Sequence, residues 1–158
     1  MKDHRSGRKP ESPTHLHRFE LHKRFSTRLQ RTAGIDDVQT EPSAFRPTKI
    51  RASVEGNVFG VACPDGELEV EWRPRTGSTD EFRMQFTPSD DRWSCGWHQD
   101  ETHSDLGACH FQIDHRDWTE PKRTGVVFDD GLPMAVFEAC LDELREYGAT
   151  PESIAERS

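Results

Sequence analysis

The sequence predicts an α+β domain: an antiparallel β-meander of about five to six strands packed against one C-terminal helix, behind a basic N-terminal extension that is helical or disordered. Three observations predict it. Between residues 48 and 128 apolar residues recur at every second position and the runs are broken by turn residues, the pattern of strands with one buried and one wet face. Residues 133–147 switch to a helical period, with Phe137, Cys140, Leu141 and Leu144 at i, i+3, i+4 and i+7. Residues 1–34 carry nine Lys or Arg against three Asp or Glu, whereas residues 35–158 carry twelve against twenty-six. That charge break sets the extension apart from the acidic body.

Each element follows in chain order. Residues 1–13, with Pro10, Pro13 and almost no apolar side chains, read as a disordered leader. Residues 15–31 suit a helix after Thr14 as N-cap, with Leu21, Phe25 and Leu29 as its stripe, and Gly34 is the stop. Residues 35–47, with Asp36, Asp37, Pro42 and Pro47, read as a linker. Lys49–Val54 and Val58–Cys63 flank Gly56-Asn57, a hairpin signal, and Pro64-Asp65-Gly66 is a second turn. Leu68, Val70 and Trp72 then alternate with charge, as do Phe82, Met84 and Phe86, then Trp93, Cys95 and Trp97, then Cys109, Phe111 and Ile113. Gly125–Phe128 adds a sixth strand. Asp129-Asp130 and Pro133 open the last helix, and Gly148 suits its C′ position. The domain is thus placed at 48–148, the extension and linker at 1–47, and a tail at 149–158.

Composition narrows the class. No apolar run approaches the 18 residues or so that a membrane span needs, and no charged-then-apolar leader marks secretion. A cytoplasmic protein is expected. The chain has a net charge of −8 and only five lysines among 21 basic residues. Such acidic, Lys-poor surfaces suit a cytoplasm of high ionic strength, as in halophilic archaea, where salt screens self-repulsion. Cys63, Cys95, Cys109 and Cys140 are expected reduced, as buried apolar residues, with Trp72, Trp93 and Trp97 in the same core. Trp118, in a charged loop, is a candidate lid or stacking residue. A Gly-rich phosphate loop and a nucleophile elbow are both absent.

Parity maps the wet face of the sheet. A four-residue loop at 88–91 pairs Arg92 with Thr87, Gly96 with Arg83 and His98 with Glu81; a loop at 74–79 pairs Arg73 with Glu81 and Glu71 with Arg83. His98 then faces Ala108 and lies diagonal to His110. The expected cluster is Glu71, Arg73, Glu81, Arg83, His98 and His110, with Gly96 leaving room above its centre. One reading is a solvated face with cross-strand ion pairs. The other is a site: His98 and His110 as an acid/base pair, Arg83 as a phosphate contact and Glu81 orienting His98, the set a metal-independent ribonuclease needs.

Residues 95–115 hold four of the eight His and two of the four Cys. Cys95, His98, His103, Cys109 and His110 invite a zinc reading, but parity puts the two Cys on the apolar face. The consistent metal set is His98, His103 and His110, with Asp100 or Asp105 as an optional further ligand. On the basic segment, three uses compete: contact with nucleic-acid phosphates, docking on an acidic partner, or a solvated helix.

Residues 81–112, a strand meander ending in a His/Asp-rich hairpin followed by a His-bearing strand and a helix, resemble the TumE-type toxin family of prokaryotic toxin–antitoxin systems. The likeness extends over about residues 48–146 and rests on His98-Gln99-Asp100, His103 and Cys109-His110. Where that family has an Arg-x-Asp-Asn core and a His-x-His, this chain has Asp100-Glu101-Thr102-His103 and a single His110. The resemblance implies an RNA-cleaving or RNA-binding toxin with an antitoxin as partner. The alternatives are a non-catalytic regulatory or protein-binding module that docks through the basic helix, and a zinc-stabilised domain.

Overall fold

A computed structural model describes residues 13–59, 63–75, 79–100 and 109–147 of the chain. Helix α1 (Pro13–Gln30) leads into seven strands: β1 (Ile35–Glu41), β2 (Lys49–Val54), β3 (Gly66–Arg73), β4 (Glu81–Pro88), β5 (Trp93–Gln99), β6 (Cys109–His115) and β7 (Lys122–Val126). Helix α2 (Pro133–Tyr147) closes the fold. The strands pair antiparallel in chain order, β1 through β7, so the sheet is a pure meander. This is the expected α+β class, with the C-terminal helix in place. Among the described residues no helix is long and apolar enough to cross a membrane.

The alternation does what period two requires. Ile50, Ala52, Leu68, Val70, Met84, Phe86, Cys95, Trp97, Phe111 and Ile113 are buried on one face. The four cysteines are free and buried among them. Burial pushes the Cys109 thiol up to about 12 and raises Cys63, Cys95 and Cys140 as well. Phe137, Cys140, Leu141 and Leu144 of α2 are buried as the helical stripe requires.

Three expectations about the N-terminal part need correction. Residues 35–41 are not linker but edge strand β1, paired with β2 from Ile35–Val54 to Glu41–Lys49. A bulge between Asp36 and Gln39 breaks its alternation, with Asp37 at a φ of 47°, and the charges suit a sheet edge. Nor is α1 an appendage. Leu21, His22, Phe25 and Leu29 are buried, and Phe25 stacks on Phe137 of α2 at 4.6 Å. Phe25 also reaches Trp72 (6.1 Å between centroids), which stacks on Phe82 at 4.6 Å, so one aromatic line joins both helices to the sheet. The Arg28 guanidinium grips the Glu138 carboxylate of α2 with two N–H groups. The helix also begins at Pro13, which places Thr14 inside it rather than at its cap. Gly34 follows at a φ of 84°, and a Cβ there would stand 2.3 Å from Val58 Cγ2.

α1 also finishes the sheet. The last β2–β3 pair at this end is Ile50–Val70, which leaves the Trp72 backbone without a strand partner on that side. His22 Nε2 accepts the Trp72 N–H at 3.0 Å, while Arg18 Nε donates to the Trp72 carbonyl at 3.0 Å. His22 Nδ1 bonds the Arg18 carbonyl at 2.8 Å, which makes Nδ1 the protonated nitrogen. Two helix side chains thus replace a strand.

The Gly56-Asn57 hairpin does not form. Residues 56–59 are a turn with Phe59 buried, and β2 pairs instead with β3. The Asn57 N–H bonds the Cys63 carbonyl at 2.8 Å. Residues 60–62 lie outside the described residues, as do the leader 1–12, Gly148 and the tail.

Candidate anion-binding face of the sheet

The register across the centre differs from the expected one by two residues. His98 pairs with Arg83, Gly96 with Gln85, and Cys95 with Phe86. The reason is the turn. Pro88 still pairs with Gly66, the Asp91 N–H bonds the Pro88 carbonyl at 2.9 Å, and Asp91 sits at a φ of 56°. The connection therefore spans residues 89–92 rather than 88–91. A shift of two keeps every side chain on its expected face. Arg73–Glu81 and Glu71–Arg83 pair as expected, and His98 lies directly opposite His110 rather than diagonal to it.

Two rows of side chains therefore cross the outer face. One runs Glu71, Arg83, His98, His110, Gly125. The next runs Glu69, Gln85, Gly96, Gln112, Arg123. The His98 and His110 rings are 5.3 Å apart. His110 is only 1% exposed although parity puts it on the outer face. Burial, with Arg83, His110 and Arg123 around it and Asp100 opposing, lowers His98 to about 4. At neutral pH His98 is uncharged.

Glu81 does not orient His98. It bonds Arg75 at 2.6 Å, and the carboxylate that acts on His98 is Asp100. Glu81 instead shares a small cleft of about 120 Å³ with Glu71, Arg73, Phe82, Arg83, Gln99 and Asp100. The structure thus joins Arg83, His98 and His110 in one row and leaves Glu81 beside it. Gly96 does not open space above the sheet either. A Cβ there would stand 2.2 Å from the Met84 carbonyl oxygen, so the glycine allows β4 and β5 to approach closely.

The charges of this face are divided. Toward β1–β3, Arg51 meets Glu41, Glu67 and Glu69 at 2.9, 3.1 and 2.8 Å, and Lys49 meets Glu69 at 3.6 Å. Glu71 is held by Arg18 and Arg73. Toward β4–β7, Arg83 bonds the Gln85 amide oxygen at 2.5 Å and Arg123 bonds that of Gln112 at 3.1 Å. Neither has a carboxylate partner among the described residues. Parity puts Gln85 and Gln112 on the wet face, but Arg123 escaped the sequence reading because the last strand was expected at 125–128; Lys122–Val126 has little apolar alternation to mark it.

His103 and Asp105 lie outside the described residues. Among the described residues no group of three or more His, Cys, Asp or Glu is disposed to hold a metal ion. Cys95 and Cys109 do face the core, away from His98 and His110. Trp118 is pinned rather than free: His115 lies 5.6 Å from its ring and the Lys122 ammonium 5.3 Å from its centroid.

Compared with known proteins, the chain matches no family model, and no curated protein and no solved structure matches it.

Proposed function

We propose that the outer face of β4–β7 binds the phosphodiester backbone of single-stranded RNA. The observation that carries the reading is the row Arg83–His98–His110 with Arg123 beside it. On a chain with 29 acidic residues, these two guanidinium groups lack carboxylates among the described residues and flank two imidazoles. Guanidinium forks match phosphate oxygens, and the half-buried His98 ring can stack on an unpaired base. Gln85 and Gln112 add donors for sugar or base edges. The likeness of residues 48–146 to a toxin family points the same way.

Strand cleavage is a narrower reading of the same face. His98, neutral at physiological pH, would take the proton of a ribose 2′-hydroxyl as that oxygen attacks phosphorus. The departing 5′-oxygen then needs a proton from an acid on its own side of the phosphorus, which neutral His98, acting as the base, does not supply. A bound phosphate raises the pKa of a neighbouring imidazole and can load the acid. Binding is therefore the primary function and cleavage the conditional one.

The test is fluorescence anisotropy of a labelled single-stranded RNA with wild type, Arg83→Ala/Arg123→Ala and His98→Ala. The double variant should weaken binding at least about tenfold and flatten its salt dependence, because two phosphate contacts are gone. Unchanged affinity would sink the reading. Growth inhibition on induced expression, abolished in His98→Ala, would add cleavage; inhibition that persists would leave binding alone.

A further inference from the structure

Helix α1 has a second face that the fold does not use. Its buried stripe packs on the helix side of the sheet, away from Arg83 and His98. On the solvent side Lys23, Arg24, Thr27, Arg28 and Arg31, with Met134 of α2, line a groove of about 320 Å³. Arg28 is committed to Glu138 and Lys23 to Glu20. Arg24 and Arg31 have no ion pair among the described residues. Arg24 lies on α1, and Arg31 follows in the turn just past its last residue. Apolar surface accompanies the charge: Met134 of α2, which is partly buried, forms one wall of the groove.

We propose that this groove docks an acidic amphipathic helix of a partner protein. Carboxylates along one face of that helix meet Arg24 and Arg31, and an apolar side chain between them covers Met134. Charge complementarity supplies the attraction, since this basic strip lies on a chain of net charge −8. The apolar wall at Met134 selects a protein helix over a nucleic acid, which would offer phosphates to the guanidiniums and nothing to the methionine. The inference is independent of RNA binding, because the two surfaces lie on opposite sides of the sheet.

The full chain is titrated into a fluorescein-labelled helical peptide of about 15 residues, built from Glu and Leu with its Glu residues along one face. Wild type should bind at low salt and release with added salt. Arg24→Glu/Arg31→Glu should weaken binding by about tenfold or more, with circular dichroism and RNA affinity unchanged. Arg24→Lys/Arg31→Lys should keep most of it. The proposal is overturned if wild type fails to bind the peptide at low salt, or if charge reversal leaves peptide affinity intact. Loss of RNA rather than peptide binding in the charge-reversal variant overturns it too, by making α1 a nucleic-acid surface.

Discussion

His22 should set the acid limit of this fold. Its ring is fully buried, donates from Nδ1 to Arg18 and accepts the Trp72 N–H at Nε2. Protonating Nε2 destroys that acceptor, and burial already lowers the pKa from 6.5 to about 4. The sign follows from proton counting. Above pH 6.5 the ring is neutral in both folded and unfolded chains, and the stabilisation is complete. Between 6.5 and about 4 only the unfolded chain binds the proton, so stability falls with pH, by about 3 kcal/mol in all for a 2.5-unit gap. His98 adds a slope of the same sign, smaller for being partly exposed. His22→Gln keeps an acceptor for Trp72 but cannot titrate. Urea unfolding followed by tryptophan fluorescence, from about pH 7.5 to about pH 4.5, should therefore show a shallower loss in His22→Gln than in wild type. His22→Ala should cost about 4 kcal/mol at neutral pH, from an orphaned buried N–H and the space the ring leaves. Parallel pH profiles for wild type and His22→Gln would refute the reasoning.

Three further outcomes follow from the packing. Gly96→Ala drives a Cβ against the Met84 carbonyl and should cost about 3 kcal/mol, read as a lower urea midpoint; a midpoint equal to wild type would mean that β4 and β5 separate freely. Removing residues 1–34 strips Leu21, Phe25 and Leu29 from the core, about 2 kcal/mol each, together with the His22 and Arg18 bonds. That loss approaches the whole stability of a typical domain, so the truncated chain should show no cooperative transition by circular dichroism. If the acidic surface is tuned to high salt, raising KCl to about 2 M should lift the melting temperature by several degrees, since screening acts over about 3 Å at 1 M. A flat or falling response in differential scanning fluorimetry would argue against it.

The strands between Lys49 and Ile113 were legible because each buries one face, so parity alone assigned inner and outer side chains. The same parity found Arg83, His98 and His110 on one face. What escaped depended on partners remote in sequence or on turn geometry. Ile35–Glu41 has few apolar residues and a bulge, and it is a strand because β2 offers it an edge. Stripe and charge on α1 predicted a helix, but the periodicity did not say that Trp72 and Phe137 would cover that stripe. The two-residue register error came from one backbone conformation, Asp91 with positive φ, which residue type only weakly announces. Glu81 was assigned to His98 through that error. His110 was expected to be wet, and its burial depends on neighbours that alternation does not encode.

The serial order of the strands has a consequence for how the chain is made. Every strand pairs with its immediate successor, so sheet formation needs only short-range closures and can proceed as segments emerge from the ribosome. Helix α1 is the exception. It is synthesised first, yet its seat is completed only by residues far downstream: Trp72 is 50 positions from His22, and Glu138 is 110 positions from Arg28. Until α2 emerges, Leu21, Phe25 and Leu29 have no complete cover. The earliest helix is therefore the last to be locked, and nascent chains halted before residue 137 should be the forms that chaperones recognise.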